Sequence, residues 1–80
     1  MAKAQNIVGP QIRRLRNAKG WSQEALSAKL GVAGFDVSRG TLSKIEAQLR
    51  CVTDIELVYL SRALHVDIID LYPPKKQLVV

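Results

Sequence analysis

Few residues in this chain could carry covalent chemistry. One cysteine, Cys51, and one histidine, His65, stand alone, so no internal disulfide can close and a four-ligand zinc site is out of reach. No histidine stands near a candidate nucleophile and no glycine-rich phosphate loop occurs, so catalysis, a metal and a cofactor are all unexpected. What the chain has in quantity is positive charge, and it is one-sided. Through Arg50 there are nine basic residues (Lys3, Arg13, Arg14, Arg16, Lys19, Lys29, Arg39, Lys44, Arg50) against Glu24, Asp36 and Glu46, a net +6, while the remainder carries −1. With a pI near 9.8, this balance suits a polyanion such as nucleic acid, although basic domains often only solvate their lysines. The chemistry on offer is recognition.

The elements that must position these cations are helical. Eighty residues, 48% hydrophobic and 24% charged, suit one soluble globular domain. No apolar run approaches the roughly 18 residues of a membrane span. Met1 to Asn6 lack the apolar stretch of a secretory signal, and a cytoplasmic location is expected. Val8, Ile12 and Leu15 fall on one face of a first helix, with Pro10 tolerated in its first turn and Gly20 as its terminator. Ser22 can cap a second helix, with Trp21 and Leu26 as a hydrophobic staple and Gly31 or Gly34 as alternative ends. Ser38 or Asp36 can cap a third, whose Leu42 and Ile45 point one way and whose Arg39, Gly40, Ser43 and Lys44 point the other. Thr53 with Glu56 makes a capping box, and Val52 with Leu57 its staple, for a fourth helix carrying Leu57, Leu60 and Leu64 inward. Asp67 with Asp70 repeats the pattern for a short fifth helix, closed by Pro73 and Pro74. No segment alternates as a half-buried strand does.

Four pieces in order, Ile12-Arg13-Arg14-Leu15-Arg16, Gly20-Trp21-Ser22-Gln23-Glu24-Ala25-Leu26, Thr41-Leu42-Ser43-Lys44-Ile45-Glu46 and Leu60-Ser61-Arg62-Ala63-Leu64-His65-Val66, resemble the phage repressor and Cro family, also called XRE-like. The resemblance covers about residues 7 to 72. It implies an all-α fold: a compact five-helix, lambda-repressor-like helix-turn-helix domain. Residues 1–6 are then a flexible N-terminus, and 73–80 a tail that either dimerises or is disordered. It implies sequence-specific binding of double-stranded DNA by a transcriptional regulator, of repressor and phage or mobile-element type, with the third helix in the major groove.

Roles follow from the resemblance residue by residue. Gln23 matches a glutamine that bonds a DNA phosphate and braces the recognition helix. Arg39 and Lys44 fall where the family contacts base edges, an arginine there suiting guanine O6 and N7, while the lysine could equally reach a phosphate. Gly40 allows close approach, and Ser38, Thr41 and Ser43 offer hydroxyls to phosphate or base, Ser38 unless occupied as a cap. Arg50 matches a position that often touches the backbone. Arg16 is expected in a structural ion pair with Glu46, and Trp21 as a core or staple residue. A homodimer is expected, with Ile68, Ile69, Leu71, Tyr72, Leu78, Val79 and Val80 as candidates for its surface.

Three departures from the family pattern stand out. About five extra residues lie between the second and third helices; they are expected to extend the second helix by a turn and return through Gly34, with Phe35 packed inward to close the longer connection. Ala47-Gln48 replaces the usual Asn-Gly, and His65 stands where glycine often follows the fourth helix, so left-handed backbone is expected at some cost. The competing functional class is an antitoxin-like or adaptor module that meets a protein partner, with DNA contact secondary.

Overall fold

Each helix begins where a short polar side chain captures a free backbone N–H. Residues 3–74, those described by the computed structural model, form α1 (Gly9–Ala18), α2 (Gln23–Ala33), α3 (Arg39–Glu46), α4 (Asp54–Leu64) and a 3₁₀ turn, Ile68–Leu71. Asn6 Oδ1 accepts the Gly9 N–H at 2.8 Å. Ser22 Oγ accepts from Ala25 at 3.0 Å and Ser38 Oγ from Thr41 at 3.1 Å, so Ser38 and not Asp36 caps α3. Before α4, Thr53 Oγ1 accepts from the Glu56 N–H at 3.2 Å while Glu56 Oε1 accepts from the Thr53 N–H at 3.0 Å. Such caps stabilise a helix by about 1 kcal/mol each.

All four helices end alike. Gly20, Gly34, Gln48 and His65 have φ of 72°, 112°, 64° and 58°. After each, the next N–H reaches back to a carbonyl of the last turn: Trp21 to Arg16 at 3.2 Å, Phe35 to Leu30 at 2.8 Å, Leu49 to Lys44 at 2.8 Å and Val66 to Ser61 at 3.0 Å. These are Schellman endings, which satisfy carbonyls the helix leaves free. Of the two alternative ends for α2, Gly34 is therefore the real one.

The helices enclose one core of Ile12, Leu26, Leu30, Leu42, Ile45, Leu60, Leu64 and Leu71, all fully buried. Burial of one such side chain contributes about 1.5–3 kcal/mol. α2 packs on α4, and α3 is held between α1 and α2. The lengthened connection closes as expected, with Phe35 half-buried against the core and its ring centroid 6.0 Å from that of Tyr59. The short fifth helix is a single 3₁₀ turn of four residues, with Tyr72 already extended before the prolines. One expectation needs correction: Leu71 is a core residue with no exposed surface, so it cannot form a dimer surface while the domain is folded. Ile68 and Ile69 are exposed and Tyr72 is half-buried, while Leu78, Val79 and Val80 lie outside the described residues. Of the expected flexible N-terminus, Gln5 and Asn6 are hydrogen-bonded to the loop after α3. No helix among the described residues is long and apolar enough to cross a membrane.

The left-handed residues set a test. Glycine relieves the side-chain clash of that conformation but enters with more entropy to lose, so His65→Gly is expected to raise stability by about 0.5–1 kcal/mol in urea unfolding. Gln48→Gly should gain less, because it gives up the bond from Gln48 Nε2 to the Asn6 carbonyl at 3.0 Å.

Candidate nucleic-acid interface

α3 has two faces that share almost nothing. Leu42, Ile45 and Glu46 point inward and are buried; Arg39, Gly40, Ser43 and Lys44 are exposed, with Thr41 half-buried between them. Among the described residues no carboxylate stands within ion-pair distance of Arg39 or Lys44, since the two ion pairs present join other residues. Their charge faces solvent undiminished. Ser38 Oγ, besides capping the helix, donates to Thr41 Oγ1 at 3.1 Å, so these hydroxyls hold each other at the start of the exposed face.

The inner face is fixed by one carboxylate. Arg16 Nε and Nη2 donate to Glu46 Oε2 and Oε1 at 2.7 and 3.0 Å, and Arg16 Nη1 donates to the Trp21 carbonyl at 2.7 Å. Gln23 Nε2 donates to the same Glu46 Oε1 at 3.1 Å. The expected ion pair is therefore present and buried, with side-chain exposures of 9% and 3%. The Glu46 hydrogen bonds hold the Arg16 guanidinium above its ordinary pKa, against the opposing effect of burial. Gln23 stands half-buried at the first turn of α2, tied through one amide N–H to the last residue of α3, and its other N–H and its carbonyl are left for further partners.

Contacts not anticipated from the sequence seat α3 further. A Cβ at Gly9 would come within 2.3 Å of the Ile45 carbonyl oxygen, so only glycine lets α1 approach this closely to the end of α3. Asn6 Nδ2 donates to the Ile45 and Arg50 carbonyls at 3.0 and 2.8 Å, bracing the same end. At the other end Ser27 Oγ donates to the Val37 carbonyl, fastening the lengthened turn to α2. An Asn three residues before a glycine is an Asx-cap pattern that could have flagged Asn6; nothing local marks Ser27 or the tightness at Gly9.

Arg50 differs from the other candidates. Its Nη1 and Nη2 donate to Glu56 Oε1 and Oε2, both at 2.9 Å, and Nη1 also donates to the Cys51 carbonyl at 2.9 Å. The structure thus brings Gln23, Ser38, Arg39, Gly40, Thr41, Ser43 and Lys44 onto two adjoining elements, while the fork of Arg50 is engaged beside the start of α4. Trp21 is half-buried against the core as expected, and Lys19 and Lys29 hold their ammonium groups 5.3 and 4.5 Å from its ring centroid.

The helix-turn-helix family model matches residues 12–71. This is a helix-turn-helix protein of the XRE type. It is a DNA-binding regulator by family, and its helix-turn-helix motif is α2, the lengthened turn and α3. Among solved structures it is similar to the restriction-modification controller protein C.AhdI from Aeromonas hydrophila, at 31% identity over 81% of this chain and 91% of that one, with a TM-score of 0.72. It also shares its fold with the hypothetical transcription factor NHTF from Neisseria, at 24% identity, 94% and 80% coverage and a TM-score of 0.76. No curated protein matches this helix-turn-helix chain.

Two outcomes test the site's supports. Arg16→Ala leaves Glu46 buried without its cation and should cost about 3–5 kcal/mol, whereas Arg16→Met with Glu46→Leu should lie closer to wild type than either single change, measured by urea unfolding. Arg50 holds the Glu56 carboxyl below its usual pKa, chiefly through the paired hydrogen bonds. That stabilisation is complete above the unfolded-state value of about 4.3 and is lost as pH falls through the lower folded value. Acid titration of thermal stability should therefore show a loss below the usual glutamate range that is smaller in Glu56→Gln.

Proposed function

We propose that this protein is a sequence-specific double-stranded-DNA-binding transcription regulator that represses by seating α3 in the major groove. The observation that carries the reading is the pairing of faces on α3: Glu46 locked inside by Arg16 and Gln23, Arg39 and Lys44 exposed and unpaired outside. A rigid helix presenting a guanidinium suits bidentate contact with guanine O6 and N7, and Gly40 lets the backbone come close beside it. Lys44, Ser43 and the Ser38–Thr41 hydroxyls serve flanking bases or phosphates. Gln23 offers its remaining amide N–H to a phosphate at the start of α2, where the helix dipole also favours an anion. Arg50 meets the backbone from beside α4 with its charge shared by Glu56.

One domain covers a single half-site, so the protein acts as a homodimer on an inverted repeat with half-sites about 34–36 Å apart. The exposed Ile68 and Ile69 beside Tyr72 supply the paired surface, with the tail through Leu78, Val79 and Val80 adding to it. The likeness to a restriction-modification controller supports a regulator of mobile-element type. It works in the cytoplasm and performs no chemistry of its own.

Selection of bound fragments from a random duplex library should return an inverted repeat. Against that duplex, Arg39→Ala should lose about 1–3 kcal/mol and flatten preference at one base pair per half-site, while Gln23→Ala should weaken all sequences alike. The salt dependence of binding should be steep and essentially unchanged in Gln23→Ala, because a neutral amide neutralises no phosphate and releases no counterion. An Arg39→Ala variant with unchanged base preference would overturn the assignment of α3.

A further inference from the structure

The last turns of α2 and α4 leave a second feature that DNA reading does not use. Between them runs an open trough of about 410 Å³ lined by the methyl groups of Ala28, Ala33 and Ala63 and by Val32. Lys29, Arg62 and His65 border it, and no acidic residue lines it. Neither Lys29 nor Arg62 has a carboxylate within ion-pair distance among the described residues. Lys29 instead holds its ammonium 4.5 Å from the centroid of the Trp21 ring, a neutral partner that leaves its charge uncancelled. Val32 is nine residues beyond Gln23, about 13 Å along α2, so the trough stands away from the helix end that faces DNA.

The size and shape choose the occupant. A small ligand needs a site that covers about 70–90% of its surface, and this trough is too open for that, with Val32 92% exposed. An occupant that brings its own second wall suits it: an amphipathic helix laying apolar side chains three and four residues apart over the alanines and Val32. The unpaired cations at the border require that helix to be acidic on its flanks. Asp67 and Asp70, in the neighbouring hollow that shares Arg62 and His65, end the cationic stretch and would repel acidic residues placed beyond it.

We propose that this trough is the docking site for an acidic amphipathic helix of a second protein, engaged independently of DNA. The probe is a 14-residue peptide, about four helical turns, with leucines at helical spacing and glutamates on the flanks. The host is the ¹⁵N-labelled full chain carrying Arg39→Ala and Lys44→Ala, which removes the competing attraction of α3 and makes the result independent of the DNA reading. Amide shifts centred on Ala28, Val32, Ala63 and His65 are expected. Affinity should fall roughly tenfold on adding Arg62→Glu or Val32→Asp, both at exposed positions. A peptide with lysines in place of the glutamates should not bind. Shifts mapping elsewhere, no shifts at all, or equal binding of the lysine peptide would overturn the proposal. So would trough shifts that follow protein concentration alone, which would make the occupant a second copy, or equal binding of decanoate, which would make it a small amphiphile.

Discussion

The buried contact between Arg16 and Glu46 is the constraint on which the rest of the site depends. Arg16 lies in the last turn of α1, Glu46 is the last residue of α3, and Gln23, bonded to the same carboxylate, is the first of α2. One carboxylate thus joins three helices. Taking two ions out of water is costly, and an apolar replacement of similar volume can be as stable. What the ionic version adds is geometry, because a bidentate fork tolerates little rotation. Fixing Glu46 fixes the rotation of α3 about its axis. The side chains of Arg39, Ser43 and Lys44 are then carried to the outside by helical periodicity alone.

The cations outside this network fall into two kinds. Among the described residues those on α3 have no carboxylate within ion-pair distance, whereas Arg50 is paired with Glu56, which also closes the capping box of α4. A single glutamate therefore starts a helix and holds an arginine beside the start of α4. The same division recurs around Trp21, whose ring steadies Lys19 and Lys29 without cancelling their charge.

The lengthened turn shows how a helix-turn-helix motif absorbs extra residues without freeing α3. Gly34 reverses the chain in a left-handed conformation, and a Cβ there would sit 3.3 Å from the Tyr59 ring. Phe35 packs toward that ring, Val37 is buried, and the Val37 carbonyl is taken by Ser27. Only then does Ser38 start α3. The insertion is anchored to both α2 and α4, so its added length does not translate into added freedom for Arg39.

The sequence by itself determined the helices, their capped starts, the three non-standard features of the chain and the one-sided charge. These are encoded within about four residues, the range over which a cap or a Schellman ending acts. Ser22 and Thr53 could be read that way, Ser38 and Gly34 each as one of two alternatives, and resemblance to a family flagged Gln48 and His65 and supplied the long-range pair of Arg16 with Glu46. Only the tertiary structure decided that Arg50 would be paired with Glu56, that Leu71 would belong to the core and not to a surface, and that Gly9 and Asn6 would receive the end of α3. Leucine suits a core and an interface equally, and an arginine's partner depends on which carboxylate the fold brings near. Neither outcome exists until distant segments meet.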